Sequence, residues 1–289
     1  MRYLQQHVYY ILFFLLPFCI VTKVSANSSL QIQIPNKVQQ GTAILVSVIS
    51  PIPESNAIFL WLNKSITVPF KKKGRHWEAQ TLLPITVDMA KSEILAVRTS
   101  NNYIQQSIHI EPVHWPKQYI SLGKKKQKFV TPSKKLVARL EHERKMIKEA
   151  LSNISCKQYW SKPFVRPVKG IITSPFGGQR IFNGKPCSYH QGVDLRGAIG
   201  TPIKAMAAGK VTLSADLYYF GKAVFIDHGQ GIYTLYGHMS RRDVQVGDMI
   251  KAGQKIGLVG ATGRTTGPHL HFGLKILGHP VDPISLFPE

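Results

Sequence analysis

Acidic residues are scarce in this chain: 15 Asp and Glu stand against 37 Lys and Arg, for a formal charge of +22 over 289 residues. That balance favours polyanionic surroundings, whether nucleic acid, anionic lipid or an acidic envelope polymer. Long apolar runs are also lacking. The one that exists, Tyr9 to Val21, falls short of the roughly 20 residues that span a bilayer. With Arg2 ahead of it and Val24-Ser-Ala26 behind, it reads as a secretory signal over residues 1–26, leaving Asn27 as the mature start and no stable membrane span after processing. Cys19 does not make this a lipoprotein signal, because Phe18 occupies a place that needs a small residue. The segment carries Arg2 and Lys23 but no acid, so the exported chain stays strongly basic. Export, and the want of any nucleic-acid-binding motif, set aside a nucleic-acid partner. Cysteine is nearly absent beyond the leader. Cys156 and Cys187 form an even pair in an oxidising compartment, which predicts a disulfide between them.

Between residues 27 and 112 the pattern is all-β. Leu30 to Ile34 alternates, Gln40-Gly41 marks a turn, and Ala43–Ile49, Ala57–Leu62, Ile94–Val97 and Tyr103–Ile110 read as further strands. Lys71 to Gly74 reads as a basic hairpin tip. Short strands at this spacing predict a small antiparallel sandwich. Its isolated His76 and His109 suggest no chemistry, and a binding or autoinhibitory role is the functional expectation. Residues 113–159 form a basic linker, with Lys124 to Lys128, and then a helix. Thr131 suits its N-cap and Pro132 its first turn. Leu136, Leu140, Ile147 and Leu151 make its apolar stripe, with Arg139, Glu143, Arg144 and Lys148 on other faces.

From Trp160 to the end, residues 160–289, the texture is glycine-punctuated strands, and histidines gather. In Gly267-Pro-His-Leu-His-Phe272, residues i and i+2 of a strand share a face, so His269 and His271 point together only if the segment is extended. His190 and Asp194, four apart in Ser188 to Leu195, also share a face on an extended chain. His238 ends the apolar run from Ile232. A catalytic zinc takes three protein ligands and leaves one position for water. His190, Asp194 and one of the paired histidines supply such a set. His238 and the other of the pair suit acid–base work near neutrality. His228 and His279 read as bystanders, at the surface or behind the site.

Several segments, in order over the last 120 or so residues, carry a family resemblance. They are Ser174-Pro-Phe-Gly177, His190-Gln-Gly-Val-Asp194, Gly200-Thr-Pro202, Ala208-Gly-Lys-Val211, Ile226-Asp-His-Gly229, Tyr236-Gly-His238 and Gly263 to Phe272. Together they resemble the lysostaphin or LytM-type zinc endopeptidases, peptidase family M23. The resemblance implies an antiparallel β-sheet peptidase domain, one Zn2+ on His190, Asp194 and His271, and His238 and His269 as catalytic histidines. It also implies peptide cross-links of bacterial peptidoglycan as substrate, in the periplasm, cell envelope or medium. Phe129 to Pro132 and Arg139 to Glu143 are similar to Gram-negative members, for which the D-Ala to diaminopimelate bond is expected. Lys222 departs from the family, where Asn is common, and bears on a turn. Tyr189 and Tyr218 are the tyrosines available to steady a reaction intermediate. Two other readings fit the residues less well. A non-enzymatic activator of another wall hydrolase typically loses metal ligands, and all are present here. Val246 to Gly257 resembles the turn pattern of biotinyl and lipoyl carriers, without their modified-lysine hairpin.

Overall fold

The computed structural model describes residues 30–120, 134–182 and 184–287. The expected leader, the Lys124 to Lys128 run, Thr131 and Pro132 lie outside them. The chain is mainly β. Eight strands fill its first part: β1 (Gln31–Gln33), β2 (Ala43–Ser50), β3 (Asn56–Trp61), β4 (Lys64–Pro69), β5 (Lys71–Lys73), β6 (His76–Pro84), β7 (Ser92–Arg98) and β8 (Tyr103–His109). They make two antiparallel four-stranded sheets, β1-β2-β6-β5 and β4-β3-β7-β8. Period-2 patterning explains the pairing of faces. Ala57, Phe59 and Trp61 of β3 and Ile66 and Val68 of β4 turn inward, where they join Val46, Val48, Ala79 and Leu82 in one cluster. The Trp61 indole N–H crosses that cluster to donate to Pro84 O at 2.9 Å. The strands of β4 and β6 are additions to the sequence reading. The basic tip is as expected, with Gly74 at φ +60° turning β5 into β6.

β9 (Lys117–Ile120) follows, then α1 (Lys134–Ala150). The remaining strands are β10 (Ile172–Ser174), β11 (Gln179–Phe182), β12 (Lys185–Tyr189), β13 (Val193–Arg196), β14 (Pro202–Lys204), β15 (Gly209–Leu217), β16 (Gly221–Asp227), β17 (Ile232–Arg242), β18 (Met249–Ile250), β19 (Lys255–Val259), β20 (His269–Ile276) and β21 (His279–Val281). Ten of them form one antiparallel sheet with the central order β10-β13-β20-β17-β16-β15-β18. β17 and β20 are buried along nearly their whole length, so they form the rigid middle of the molecule. β11 and β12 form a separate hairpin, and β9 adds to it in parallel beside β11.

The two halves share an apolar core. Backbone contacts sew them together: Asp282 N–H donates to Gly41 O at 2.6 Å, and Ala43 N–H to Ser285 Oγ at 3.0 Å. α1 lies over a smaller cluster of Leu213, Leu217, Phe225, Tyr233 and Leu235, covering it with Met146, Ile147, Ala150 and Leu151. Glu143 does not join the outer polar face expected of it. It is buried, and it accepts from Arg139 Nε at 2.7 Å and from the Tyr218 backbone N–H at 2.9 Å. Its place three residues after Leu140 and four before Ile147 puts it inside the apolar stripe. No helix among the described residues is long and apolar enough to cross a membrane. Cys156 is exposed with a free thiol, and the side chain of Cys187, the other half of the expected disulfide, lies outside the described residues.

Candidate metal centre

One register row crosses four strands at the site. Ser174 of β10 faces Asp194 of β13, Asp194 faces His271 of β20, and His271 faces Gly237 of β17. Directly opposed residues bring their side chains within contact range. His271 Nδ1 lies 3.0 Å from Asp194 Oδ1. His190 joins them from outside the sheet, with Nε2 at 3.1 Å from both Asp194 Oδ1 and His271 Nδ1. It does so by a bend, which corrects the extended reading of residues 190–194. Four residues of strand would separate the two by about 13 Å. Instead Gln191 and Gly192 turn the chain, and a Cβ on Gly192 would stand 2.6 Å from Phe272 O and 2.9 Å from His271 Cε1. Only glycine lets the turn close over the histidine ring.

His190, Asp194 and His271 are all buried, and each presents one ligand atom to the others. The surroundings fix which atoms those are. His190 Nδ1 donates to Pro175 O at 2.8 Å, which leaves Nε2 with its lone pair toward the centre. Arg180 binds the other carboxylate oxygen, Asp194 Oδ2, as well as Ser174 Oγ. Burial opposes the charge on Asp194, but the close imidazoles of His190 and His271 outweigh it and hold the carboxyl well below its usual range. Burial likewise pushes the His271 imidazole down. Three electron-pair donors thus converge with too few protons to satisfy them. Their 3.0–3.1 Å spacings come close to the edge, about 3.3 Å, of a tetrahedron with the 2.0–2.1 Å ligand distances of zinc. The residues fit a divalent metal.

Two more histidines reach the same place. His269 lies one residue pair along β20, with Nδ1 2.9 Å from Gly267 O and Nε2 3.6 Å from Asp194 Oδ1. His238 owes its position to a bulge. β17 spends three steps from Tyr236 to Met239 while β16 spends two from Val224 to Lys222. Such an extra residue re-aims a side chain. His238 sits there at φ +61°, an uncommon conformation for a residue with a Cβ. Its N–H donates to Phe220 O at 2.7 Å, and its Nδ1 to Thr262 O at 2.8 Å. The ring centroids of His238 and His269 are 4.8 Å apart. Burial, then the neighbouring His271 and His269, lower the His238 pKa to about 3, and burial lowers that of His269.

His190, His238 and His271 line a cavity of about 210 Å³ whose walls also include Tyr189, Tyr219, Phe220 and Arg264. Tyr189 is therefore at the site, whereas Tyr218 is not. Its ring carries Arg139 of α1 at 5.6 Å, and the adjacent Tyr219 takes the cavity position. Arg180, Tyr219, Arg264, Thr262 and Glu143 were not singled out from sequence as site residues. For Arg180 a signal existed, its place three residues beyond the Ser174 to Gly177 motif. His228 is a bystander, but a fully buried one rather than a surface residue. It is held by Ala208 O and Thr234 Oγ1, each at 2.7 Å. Lys222, the second residue of β16, donates through Nζ to Ser240 O at 2.9 Å.

Comparison with known proteins meets this site from outside. Residues 188–283 match the sequence model of Peptidase family M23. The DD-carboxypeptidase/endopeptidase Mpg of Neisseria meningitidis is 41% identical over 115 residues, which are 40% of this chain and 26% of that protein. The chain thus spans about a quarter of the length of this curated relative. A Pseudomonas aeruginosa chain assigned to peptidase M23 has a crystal structure that matches with a TM-score of 0.64 at 29% identity, over 87% of this chain and 95% of that one. The catalytic domain of the prophage-encoded M23 protein EnpA from Enterococcus faecalis is 34% identical over 44% of this chain and 93% of that one, with a TM-score of 0.35. His190, Asp194, His238, His269 and His271 all fall within the matched residues, and the chain belongs to peptidase family M23.

Proposed function

We propose that this protein is an exported zinc metallo-endopeptidase that hydrolyses peptide cross-links of bacterial peptidoglycan, with the D-Ala to diaminopimelate bond as its substrate. The observation that carries the proposal is the convergence of three buried donor atoms on one another, beside two further imidazoles, with His190, His238 and His271 lining an open cavity. Mpg, similar over the same stretch, is named a DD-carboxypeptidase/endopeptidase. The basic charge suits an anionic wall.

In this reading His190 Nε2, Asp194 Oδ1 and His271 Nδ1 hold the metal. A bound zinc supplies a Lewis acid for the scissile carbonyl and lowers the pKa of water toward about 7. Arg180 keeps Asp194 oriented, and Pro175 O keeps His190 in the ligating tautomer. His238 and His269 each have Nδ1 committed to a backbone carbonyl, so Nε2 is the working atom of both. One of the two takes the proton of the attacking water. The imidazolium so formed faces the carbonyl oxygen as it gains charge, and the proton then passes to the leaving amine. Phe220, packed edge-on to His271 with centroids 5.6 Å apart, shields the reacting atoms from bulk water.

The test is digestion of diaminopimelate-type peptidoglycan by residues 27–289, with and without chelator, followed by mass analysis of muropeptides. Chelator-sensitive conversion of cross-linked dimers to monomers is expected. A folded, zinc-loaded protein that leaves the dimers intact would remove the proposal.

A further inference from the structure

We infer that a second cavity, between α1 and the far end of β20, is a binding site for a phosphate-bearing ligand. The cavity measures about 430 Å³ and shares no lining residue with the catalytic one. The inference stands apart from the peptidase reading. Four cations line the cavity: Lys64 of β4, Arg144 and Lys148 of α1, and Lys275 of β20. No Asp or Glu lines it. None of the four forms an ion pair among the described residues. Outside those residues the sequence holds a single acidic residue, Glu289, so the chain offers too few carboxylates to neutralise the group.

The fold accounts for two of the four cations. Lys64 spends one of its three donors on Leu277 O at 3.0 Å. Lys148 lies in the last turn of α1, where the helix dipole favours a cation. Arg144 and Lys275 have no such reason to be there. Arg144 precedes Lys148 by four residues, and like charges at that spacing on a helix repel. Lys275 is partly buried within the ten-stranded sheet, opposite Tyr233 of β17 on one side and Pro280 of β21 on the other. Its ammonium meets no hydrogen-bond acceptor among the described residues, and burial alone pushes its pKa below the usual lysine range. An unpaired ammonium held out of water beside other cations is destabilising until an anion joins it. A carboxylate brings one charge and two oxygens. A phosphate monoester brings nearly two charges and three acceptor oxygens, which suits a guanidinium fork facing several ammonium groups. Lys275 lies four residues beyond His271 on β20, about 13 Å along the strand, so an anion held there leaves the metal centre open.

The experiment titrates the zinc-loaded protein, residues 27–289, with inorganic phosphate by calorimetry, and with vesicles of phosphatidylcholine with or without phosphatidic acid by co-flotation. Lys275→Met, Arg144→Gln and His271→Ala are carried in parallel. Lys251→Met, in the exposed turn between β18 and β19, removes the same charge elsewhere. The expected result is one saturable site, weakened at least about tenfold by Lys275→Met and by Arg144→Gln, the loss of a charge-assisted hydrogen bond. Lys251→Met and His271→Ala should keep it. Phosphate should also raise the urea midpoint of the unaltered protein and leave that of Lys275→Met in place. Phosphate binding without vesicle binding supports the inference and marks a free phosphate ester as the ligand. Vesicle binding that needs both phosphatidic acid and Lys275 supports it and marks a lipid headgroup. Binding that survives Lys275→Met and Arg144→Gln, or that falls as far in Lys251→Met, reflects net charge and overturns the inference. Binding lost in His271→Ala instead belongs to the metal centre and overturns it too, as does the failure of both probes to bind. None of these outcomes bears on cleavage, so the peptidase reading is tested separately.

Discussion

Protonation of His228 should set much of the acid sensitivity of the fold. This histidine is fully buried where β16 turns into β17, the strand that carries His238. Nδ1 donates to Ala208 O and Nε2 accepts from Thr234 Oγ1, so both nitrogens are used by the neutral ring. Burial lowers its pKa from 6.5 to about 4. The unfolded chain therefore binds the proton more readily, and the stability that His228 contributes is whole above pH 6.5 and is lost as pH falls toward 4. Linkage over that 6.5-to-4 difference gives about 1.4 kcal/mol lost at about pH 5.5 and about 2.5 kcal/mol at about pH 4.5. The assay is urea unfolding across this range for the protein and for His228→Asn, whose amide retains a donor for Ala208 and cannot titrate. Other depressed histidines, such as His269, are common to both proteins and cancel in the comparison. His228→Asn is expected to be less stable at neutral pH, with the gap narrowing by about 2.5 kcal/mol at about pH 4.5. A gap constant to within about 0.5 kcal/mol, the limit of additivity for independent sites, would refute the reasoning.

Replacing His271 by Ala should abolish both zinc retention and cleavage, whereas His238→Ala should retain zinc and lose cleavage; metal analysis beside a dimer-cleavage assay separates the two, and turnover by folded His238→Ala would remove its acid–base role. Arg180→Gln, which frees Asp194 Oδ2, should weaken zinc binding by about 10- to 100-fold in a chelator-competition titration. Glu143→Ala leaves the buried Tyr218 N–H without its acceptor and should cost about 1–3 kcal/mol in urea unfolding. Because Tyr219 O and Phe220 O in the same loop receive Arg264 and His238 N–H, the variant should also lower kcat, and an unchanged kcat would detach α1 from the site.

The strand character of His269 to Phe272 was legible because it depends on local alternation, residue chemistry marked His190, Asp194 and one of the paired histidines as a metal set, and the choice of His271 came from the family resemblance. What was hidden depends on partners distant in sequence. The bulge at Gly237–His238 is defined by the count of residues on β16, which no pattern within β17 reports. The bend at Gly192 answers to the ring of His271, nearly eighty residues away. Glu143 looks like one more surface charge on a helix until Tyr218 is placed above it. The parallel addition of β9 to β11 likewise joins segments about sixty residues apart. Tyr218 and Tyr219 are alike in composition and adjacent, and the turn of the backbone alone sends one to Arg139 and the other to the cavity.

The most direct measurement is the fate of one defined substrate, a muropeptide dimer joined by a D-Ala to diaminopimelate bond. It would be incubated with the metal-stripped protein and then with the same sample after zinc is restored. Two monomers, each of the mass expected for hydrolysis at that amide and formed only after zinc is added, are the predicted outcome. An intact dimer with zinc bound at His190, Asp194 and His271, or cleavage that proceeds equally well without metal, would contradict the account.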